Sequence, residues 1–526
     1  MKKIKVFALL ATLFVGIFSN LFTPVVSADD TSDATVTIHK LQGQTGTIVN
    51  TGNELSGYTA SDFLDGITYN VYDVTAAYHT KYNEEYKPAD AQKADDEARK
   101  YVQGAPGLAP TVSGATLVGE PKVTANGGAA TFTLPKKSGG KNAVYVFVEQ
   151  PKTGITAAEK NLVVSFPVYE LNGDGTYTDN ELSTIHLYPK NTTETITPVK
   201  EITTPNADTA GHNNYNVGQN IGFKLSTKIP ANIGIKEVDG VTPHYNTFGL
   251  IDTHDTTLTF DKAGAHELKV AGTSIVLTDK GETPDYIIEV GKTAVEGKDK
   301  DTFKVKLTQE GINKLAEQGG KTLEFTYTMK LNATAVMDTK NVNQVTVEYG
   351  RKTDDFNDVV TTPGNEKEVY TGGYRFIKTD VSTNKPLAGA EFVVRDAATE
   401  GQYLKIDADS KISWVGTYGE ATKFTTEADG IVDIKGLTYG TYYLEETQAP
   451  TDYVKLPARI KFDVEFNSYT LHTTTTPTEV KEHNVPNTPK GFLPSTGGAG
   501  IILFVALGAA MVGLAGVYFT SRRKDA

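Results

Sequence analysis

Short apolar and β-branched runs, none long, constrain the fold of this chain more than any other feature. Thr35-Val36-Thr37-Ile38, Ala143-Val144-Tyr145-Val146-Phe147-Val148 and Leu162-Val163-Val164-Ser165-Phe166 recur among Gly, Pro, Asn and Asp residues. Runs of this length, alternating or continuous and cut off by turn formers, read as strands, and the chain is expected to be all-β and built of sandwiches. Helical patterning is limited to a segment capped by Asp90 and running through Lys100, and to Gln309–Gln318; both read as insertions between strands. Thr and Pro gather at Asn191–Pro198 and again at Val360–Asn365. These linkers divide the body of the chain into three expected domains, residues 29–193, 194–370 and 371–490, each long enough for its own core.

The two ends read as addresses. Met1-Lys2-Lys3-Ile4-Lys5 leads into an apolar stretch from Val6 to Phe22 and then Val26-Ser27-Ala28, the form of a secretory signal peptide over residues 1–28, with cleavage before Asp29. At the other end, residues 491–526 hold Leu493-Pro494-Ser495-Thr496-Gly497, an uncharged apolar run from Ile501 to Phe519 and the basic Arg522-Arg523-Lys524. Nineteen residues at about 1.5 Å each suffice to cross a bilayer as a helix, with the basic tail retained inside. Between the signal and Thr496 the chain carries 45 basic and 63 acidic residues, about −18 in all, which argues against nucleic acid as a partner. It has no cysteine although it is exported, so thiol catalysis, thiolate metal sites and disulfides are all excluded.

The order pentapeptide, apolar run, basic tail resembles the sorting signal of Gram-positive surface proteins, which the transpeptidase sortase cleaves. The resemblance implies cleavage between Thr496 and Gly497, a thioester of Thr496 on the enzyme's cysteine, and release by an amine from peptidoglycan or from a lysine of another protein.

In the third expected domain, Tyr442-Tyr443-Leu444-Glu445-Glu446-Thr447-Gln448-Ala449-Pro450-Thr451-Asp452-Tyr453 resembles the E-box of pilins, departing from the pattern only at Asp452, where Gly is usual. Phe376-Ile377-Lys378-Thr379-Asp380 and Pro386–Phe392 resemble the opening strands of the collagen-adhesin B-type Ig-like fold. In that family a lysine and a late asparagine form an intramolecular isopeptide bond. The resemblance implies Lys378 as nucleophile, Glu446 as the promoting acid and Asn487 as partner, with Asn484 as the alternative. Such chemistry needs a lysine whose burial favours the neutral amine, and a buried acid able to hold the carboxamide and move protons. Ammonia leaves and an amide remains.

Weak internal similarity extends this to the first domain, also B-type: Thr37-Ile38-His39-Lys40 parallels Arg375–Lys378, and Tyr145–Glu149 parallels Tyr442–Glu446. Its set is Lys40, Glu149 and Asn191. The middle domain resembles the A-type-like middle domain of pilus backbone subunits in Tyr215–Gln219, Ile229–Ile233 and Leu250-Ile251-Asp252-Thr253, where an aspartate usually stands for the glutamate. That implies Lys200, Asp252 and Asn343. Which of the three bonds form stays open.

Ile185-His186-Leu187-Tyr188-Pro189-Lys190-Asn191 resembles the pilin motif, and implies that Lys190 is the amine a pilus sortase joins to Thr496 of another copy. Glu181 stands where the longer form of the motif has Trp. Pro189 lacks an N–H and should end regular pairing, displaying Lys190, while Ile185 and Leu187 point inward. Lys190 and Asn191 should face opposite sides of their strand. The implied function is that of a major pilin: a sortase substrate rather than a turnover enzyme, on the cell surface, attached to peptidoglycan by a housekeeping sortase and joined by minor pilins. Host surface molecules remain open as ligands, and a monomeric wall-anchored adhesin is the alternative. No cofactor is expected. Asn172–Asp179 spaces oxygen ligands loosely like a calcium loop but reads more simply as a hairpin turn, and His-based metal, Walker and G-x-S-x-G motifs do not occur. Trp414 reads as packing.

Overall fold

The structure is a computed structural model that describes residues 32–44, 46–156, 160–172, 176–473, 476–491 and 499–522. The expected signal peptide, the Leu493–Gly497 pentapeptide and the basic residues Arg523 and Lys524 lie outside these. Two compact units form, one ending at Tyr370 and the other starting at Thr371 and including Val336–Thr339.

The first unit holds two sets of sheets. In the earlier set, Asp33–His39 lies between Thr184–Leu187, parallel to it, and Ala129–Pro135, antiparallel. The facing sheet runs Leu162–Ser165, Val144–Glu149, Thr68–Asp73, Thr116–Leu117. Val36, Ile38, Phe132, Tyr145, Phe147, Ile185 and Leu187 fill the space between, so the inward alternation expected of Ile185 and Leu187 is present. The opposite face of Val144–Glu149 is covered by two helices, Thr75–Glu85 and Ala91–Gln103, which bury Val144, Val146 and Val148 against Val74, Tyr78, Ala98 and Val102. Cover on both faces explains why this strand reads as an unbroken apolar run.

The second helix begins after Asp90 as expected, although the Asp90 side chain makes no capping bond. The first helix was not legible. Its buried residues, Thr75, Ala77 and Tyr78, form no apolar stripe. Tyr169–Leu171 and Tyr177–Glu181 pair as a hairpin, with Asn172 N–H donating to Thr176 O at 2.8 Å; residues 173–175 of the loop lie outside the described set.

In the later set, Val199–Ile202, Asn220–Lys228, Thr322–Leu331, Glu267–Val270 and Val276–Leu277 form one sheet. Tyr286–Val295, Lys298–Leu307, Thr247–Asp255, Asn341–Lys352 and Asn357–Val369 form the other. An aromatic core of Phe223, Phe303, Phe325 and Tyr327 lies between them. The expected second helix is shorter than its pattern, Gln309–Lys314, begun by Thr308, whose hydroxyl accepts from Gly311 N–H. The two sets meet in a polar seam: Lys152 pairs with Asp358 at 3.0 Å, and Thr153 N–H donates to the same carboxylate at 2.7 Å.

In the second unit Gly372–Asp380 lies between Ile431–Leu437, antiparallel, and His483–Asn487, parallel. The facing sheet runs Ile412–Val415, Tyr403–Ile406, Glu391–Arg395, Gly440–Gln448, Ile460–Val464. Trp414 stacks on Tyr442 at 5.6 Å, a packing role as expected. A helix spans Ala499–Arg522, and its side chains are described over 505–516. Among the described residues no helix is long and apolar enough to cross a membrane. The expected crossing over Ile501–Phe519 extends beyond the twelve residues, 505–516, whose side chains are described.

Candidate cross-linking sites

Lys40, Lys200 and Lys378 are the only buried lysines among the described residues, each fully buried. A lysine in such a place loses the solvation of its ammonium and must find partners or give up its proton. Each sequence-derived partner set is assembled around its lysine.

In the first sandwich Lys40 Nζ donates to Glu149 Oε2 at 2.6 Å and to Asn191 Oδ1 at 2.8 Å. Asn191 Nδ2 donates to the other oxygen, Glu149 Oε1, closing the ring of contacts. Lys40 and Asn191 lie side by side because Lys190–Asn191 pairs in parallel with Leu41–Gln42, whereas Glu149 comes from the facing sheet. Tyr69 adds a bond from its hydroxyl to Glu149 Oε2 at 3.1 Å.

The third sandwich repeats this plan except that, among the described residues, no hydrogen bond joins its lysine to its glutamate. Lys378 Nζ donates to Asn487 Oδ1 and to Val485 O, both at 2.6 Å, and Asn487 Nδ2 donates to Glu446 Oε1 at 2.9 Å. The parallel register Lys378↔Val485 sets lysine and asparagine on neighbouring strands. Glu446 Oε2 is held by Leu456 N–H at 2.6 Å. Burial pushes the Lys378 amine down to about 8, against a smaller opposing pull from Glu446. Asn484 is exposed, so Asn487 is the asparagine within reach. Asp452 has φ +68°, the left-handed region, which is why Gly is usual there and why Asp, tolerant of that region, can replace it.

The middle sandwich differs. Lys200 Nζ donates to Asp252 Oδ2 at 2.7 Å and also to Asn343 Oδ1. Asp252 and Asn343 belong to one sheet and Lys200 to the other. Burial pushes the Lys200 amine down to about 8, with Asp252 opposing. Burial alone would raise the Asp252 carboxyl, but Lys200 and a hydrogen bond from His254 outweigh it and hold the carboxyl below its usual value. His254 Nδ1 lies 2.7 Å from Asp252 Oδ1, and the Tyr327 hydroxyl donates to Asp252 Oδ2. Tyr327, Tyr69 and His254 were missed in the sequence, since an inward tyrosine reads as core. His254 had a signal: it stands two residues from Asp252, on the same face of its strand.

These arrangements can carry out one reaction. A neutral lysine amine would attack the asparagine carbonyl carbon; the new C–N bond would form, the old one would break, and the lysine proton would travel by way of the acid to the departing ammonia.

Lys190 is half-buried, its amine donating to Gly46 O at the surface, while Asn191 beside it is buried. Pro189 still gives its carbonyl to Leu41 N–H at 2.8 Å. Ahead of it, Tyr188 stacks on His39 at 4.7 Å and its hydroxyl accepts from Leu55 N–H at 2.8 Å, fixing the motif from below. Leu493–Gly497 lie outside the described residues.

Residues 31–192 match the model of the Gram-positive pilin subunit D1, N-terminal domain; 372–479 match the prealbumin-like fold domain; 486–526 match the LPXTG cell wall anchor motif. The trypsin-resistant surface T6 protein of Streptococcus pyogenes serotype M6 is 26% identical over 211 residues, 31% of this chain and 39% of that protein. The full-length RrgB pilus protein from Streptococcus pneumoniae shares the fold with a TM-score of 0.55, at 19% identity over 89% of this chain and 99% of that one. Models of a pilin N-terminal domain, a prealbumin-like fold domain and a cell wall anchor motif thus match three successive parts of this chain.

Proposed function

We propose that this chain is the structural backbone subunit of a covalently polymerised pilus, in three sandwich domains over residues 29–193, 194–370 and 371–490. A pilus sortase joins Thr496 of one copy to Lys190 of the next, and a housekeeping sortase transfers the finished polymer to peptidoglycan; minor pilins complete it. The observation that carries the reading is the division of labour at Lys190 and Asn191: adjacent residues of one strand, the first with its amine at the surface and the second buried against Lys40. One side chain is available to an external acyl-enzyme, and the other to internal chemistry. Within each subunit, Lys40–Asn191, Lys200–Asn343 and Lys378–Asn487 condense to amides without help from another enzyme, promoted by Glu149, Asp252 and Glu446. These bonds replace the disulfides that a cysteine-free chain cannot form.

The test is a boiled detergent gel of wall extracts. Wild type gives a ladder of high-mass polymers; Lys190→Ala collapses it to monomer. A wild-type band at monomer mass alone would overturn the reading in favour of a monomeric adhesin.

A further inference from the structure

The middle site differs from the other two in how its acid reaches the leaving group. In the first and third sandwiches the glutamate bonds the asparagine nitrogen directly, Glu149 to Asn191 and Glu446 to Asn487. That nitrogen departs as ammonia and needs a proton as it goes. Asp252 is shorter by one methylene, and no described contact joins it to Asn343 Nδ2. The Tyr327 hydroxyl stands between them, donating to Asp252 Oδ2 and lying 3.5 Å from Asn343 Nδ2. The other described partner of that nitrogen is the Met329 sulfur at 3.2 Å, which has no proton to give. His254 occupies Asp252 Oδ1, so the exchange of protons with the reacting groups passes through Oδ2.

We propose that Tyr327 is a catalytic residue of the middle cross-link, relaying a proton from Asp252 to the Asn343 nitrogen. The proposal rests on the reading that Lys200 and Asn343 condense. Lys200, as neutral amine, attacks Asn343 Cγ and gives one proton to Asp252 Oδ2. In the tetrahedral intermediate Nδ2 is no longer conjugated and its lone pair becomes a proton acceptor. Tyr327 then donates its hydroxyl proton to Nδ2 and takes the proton of Asp252. The Cγ–Nδ2 bond breaks, ammonia leaves, the Lys200–Cγ amide remains, and both Tyr327 and Asp252 return to their starting states. Burial beside Asp252 holds the phenol far above its usual pKa, which keeps it protonated between transfers.

The experiment is cell-free synthesis of the full chain with timed acid quenching, each Lys–Asn cross-linked peptide being followed by mass spectrometry. Tyr327→Phe keeps the ring in its place beside Phe223, Phe303 and Phe325, at 5.7, 5.0 and 5.4 Å, and removes only the hydroxyl. The expected result is a Lys200–Asn343 bond forming about 100-fold more slowly, while the other two bonds in the same molecules form at wild-type rates. Formation within threefold of wild type would overturn the relay and leave the cross-link itself standing. Absence of the Lys200–Asn343 peptide from wild type would overturn both. Should Tyr327→Phe fail to fold, 3-fluorotyrosine at 327 decides: it preserves the packing and acidifies the phenol. A relay then shows a changed pH profile for the middle bond alone, and an unchanged profile overturns the proposal.

Discussion

The middle and C-terminal sandwiches bury the same kinds of side chain but seat the lysine by different means. Lys378 is clamped by a glycine: its N–H donates to Gly430 O at 2.7 Å, and a Cβ on Gly430, at φ +72°, would come within 2.5 Å of Lys378 O. The first sandwich repeats this, with Gly128 at φ +69° against Lys40 and the corresponding bond at 2.7 Å. Around Lys200 the clamp is a side chain. Asn365 Oδ1 accepts from Lys200 N–H at 2.7 Å and Asn365 Nδ2 donates to Lys200 O at 3.0 Å, an amide standing in for a neighbouring strand. The two solutions teach that the reactive geometry follows from a fixed lysine backbone, which either close approach or side-chain mimicry supplies.

That difference can be tested from its largest consequence downward. Glu446→Ala should leave Lys378 and Asn487 unjoined without touching the middle bond. By chain-entropy reasoning, loss of a cross-link closing a loop of this size costs about 4–5 kcal/mol, lowering the unfolding midpoint of the second unit by on the order of 15–20 °C in calorimetry. Retention of the wild-type midpoint would mean that the third bond contributes nothing to stability.

The pH profiles of bond formation should separate the two sites next. With the folded Lys378 amine titrating at about 8, below the ordinary lysine value, the ammonium form predominates as pH falls through 8. Lys378 donates only to carbonyl oxygens of Asn487 and Val485, which cannot take its proton. Formation of the third bond should therefore slow by about tenfold per pH unit below 8. Lys200 touches Asp252 directly and can pass it a proton with no change in net charge, so the middle bond should vary by less than about threefold between pH 6 and 8. Equal slopes in a timed mass measurement would erase the distinction.

Two substitutions probe the clamps. Gly430→Ala forces a left-handed alanine against a backbone oxygen and should cost about 3 kcal/mol or more in denaturant unfolding while blocking the third bond. Asn365→Ala removes two hydrogen bonds and should cost about 2 kcal/mol, slowing the middle bond without abolishing it. The smallest effect belongs to Asp452→Gly, which relieves a left-handed aspartate and should stabilise the second unit by about 0.5 kcal/mol, the gain being limited by glycine's greater freedom when unfolded.

Much of the sites was legible because covalent chemistry leaves few residue types to choose among. Motif resemblance named Lys378 and Glu446, internal similarity named Lys40 and Glu149, and the structure brings each pair together with its asparagine. The choice between Asn487 and Asn484 was not legible: it turns on strand register, set by pairing with residues a hundred positions away. The clamps were not legible either. Nothing in the sequence marks Gly128 and Gly430, and Asn365 reads as part of a linker, until a distant lysine backbone is placed against them. The helix Thr75–Glu85 escaped because it is held by the sheet beneath it rather than by an apolar stripe of its own.

The place of Lys190 in the chain has a mechanical consequence. In a polymer joined through Lys190 and Thr496, a pull enters each subunit at Lys190 and leaves at its C-terminal end. The covalent line between these points crosses the middle and C-terminal sandwiches, where the proposed Lys200–Asn343 and Lys378–Asn487 amides would act as short circuits that prevent the enclosed strands from paying out. Nearly all of the first sandwich, from Asp33 to Pro189, hangs beside that line as a side branch. Its own cross-link would bear no tension, and its service would be to hold the strand that presents Lys190 in register while a neighbouring subunit is attached.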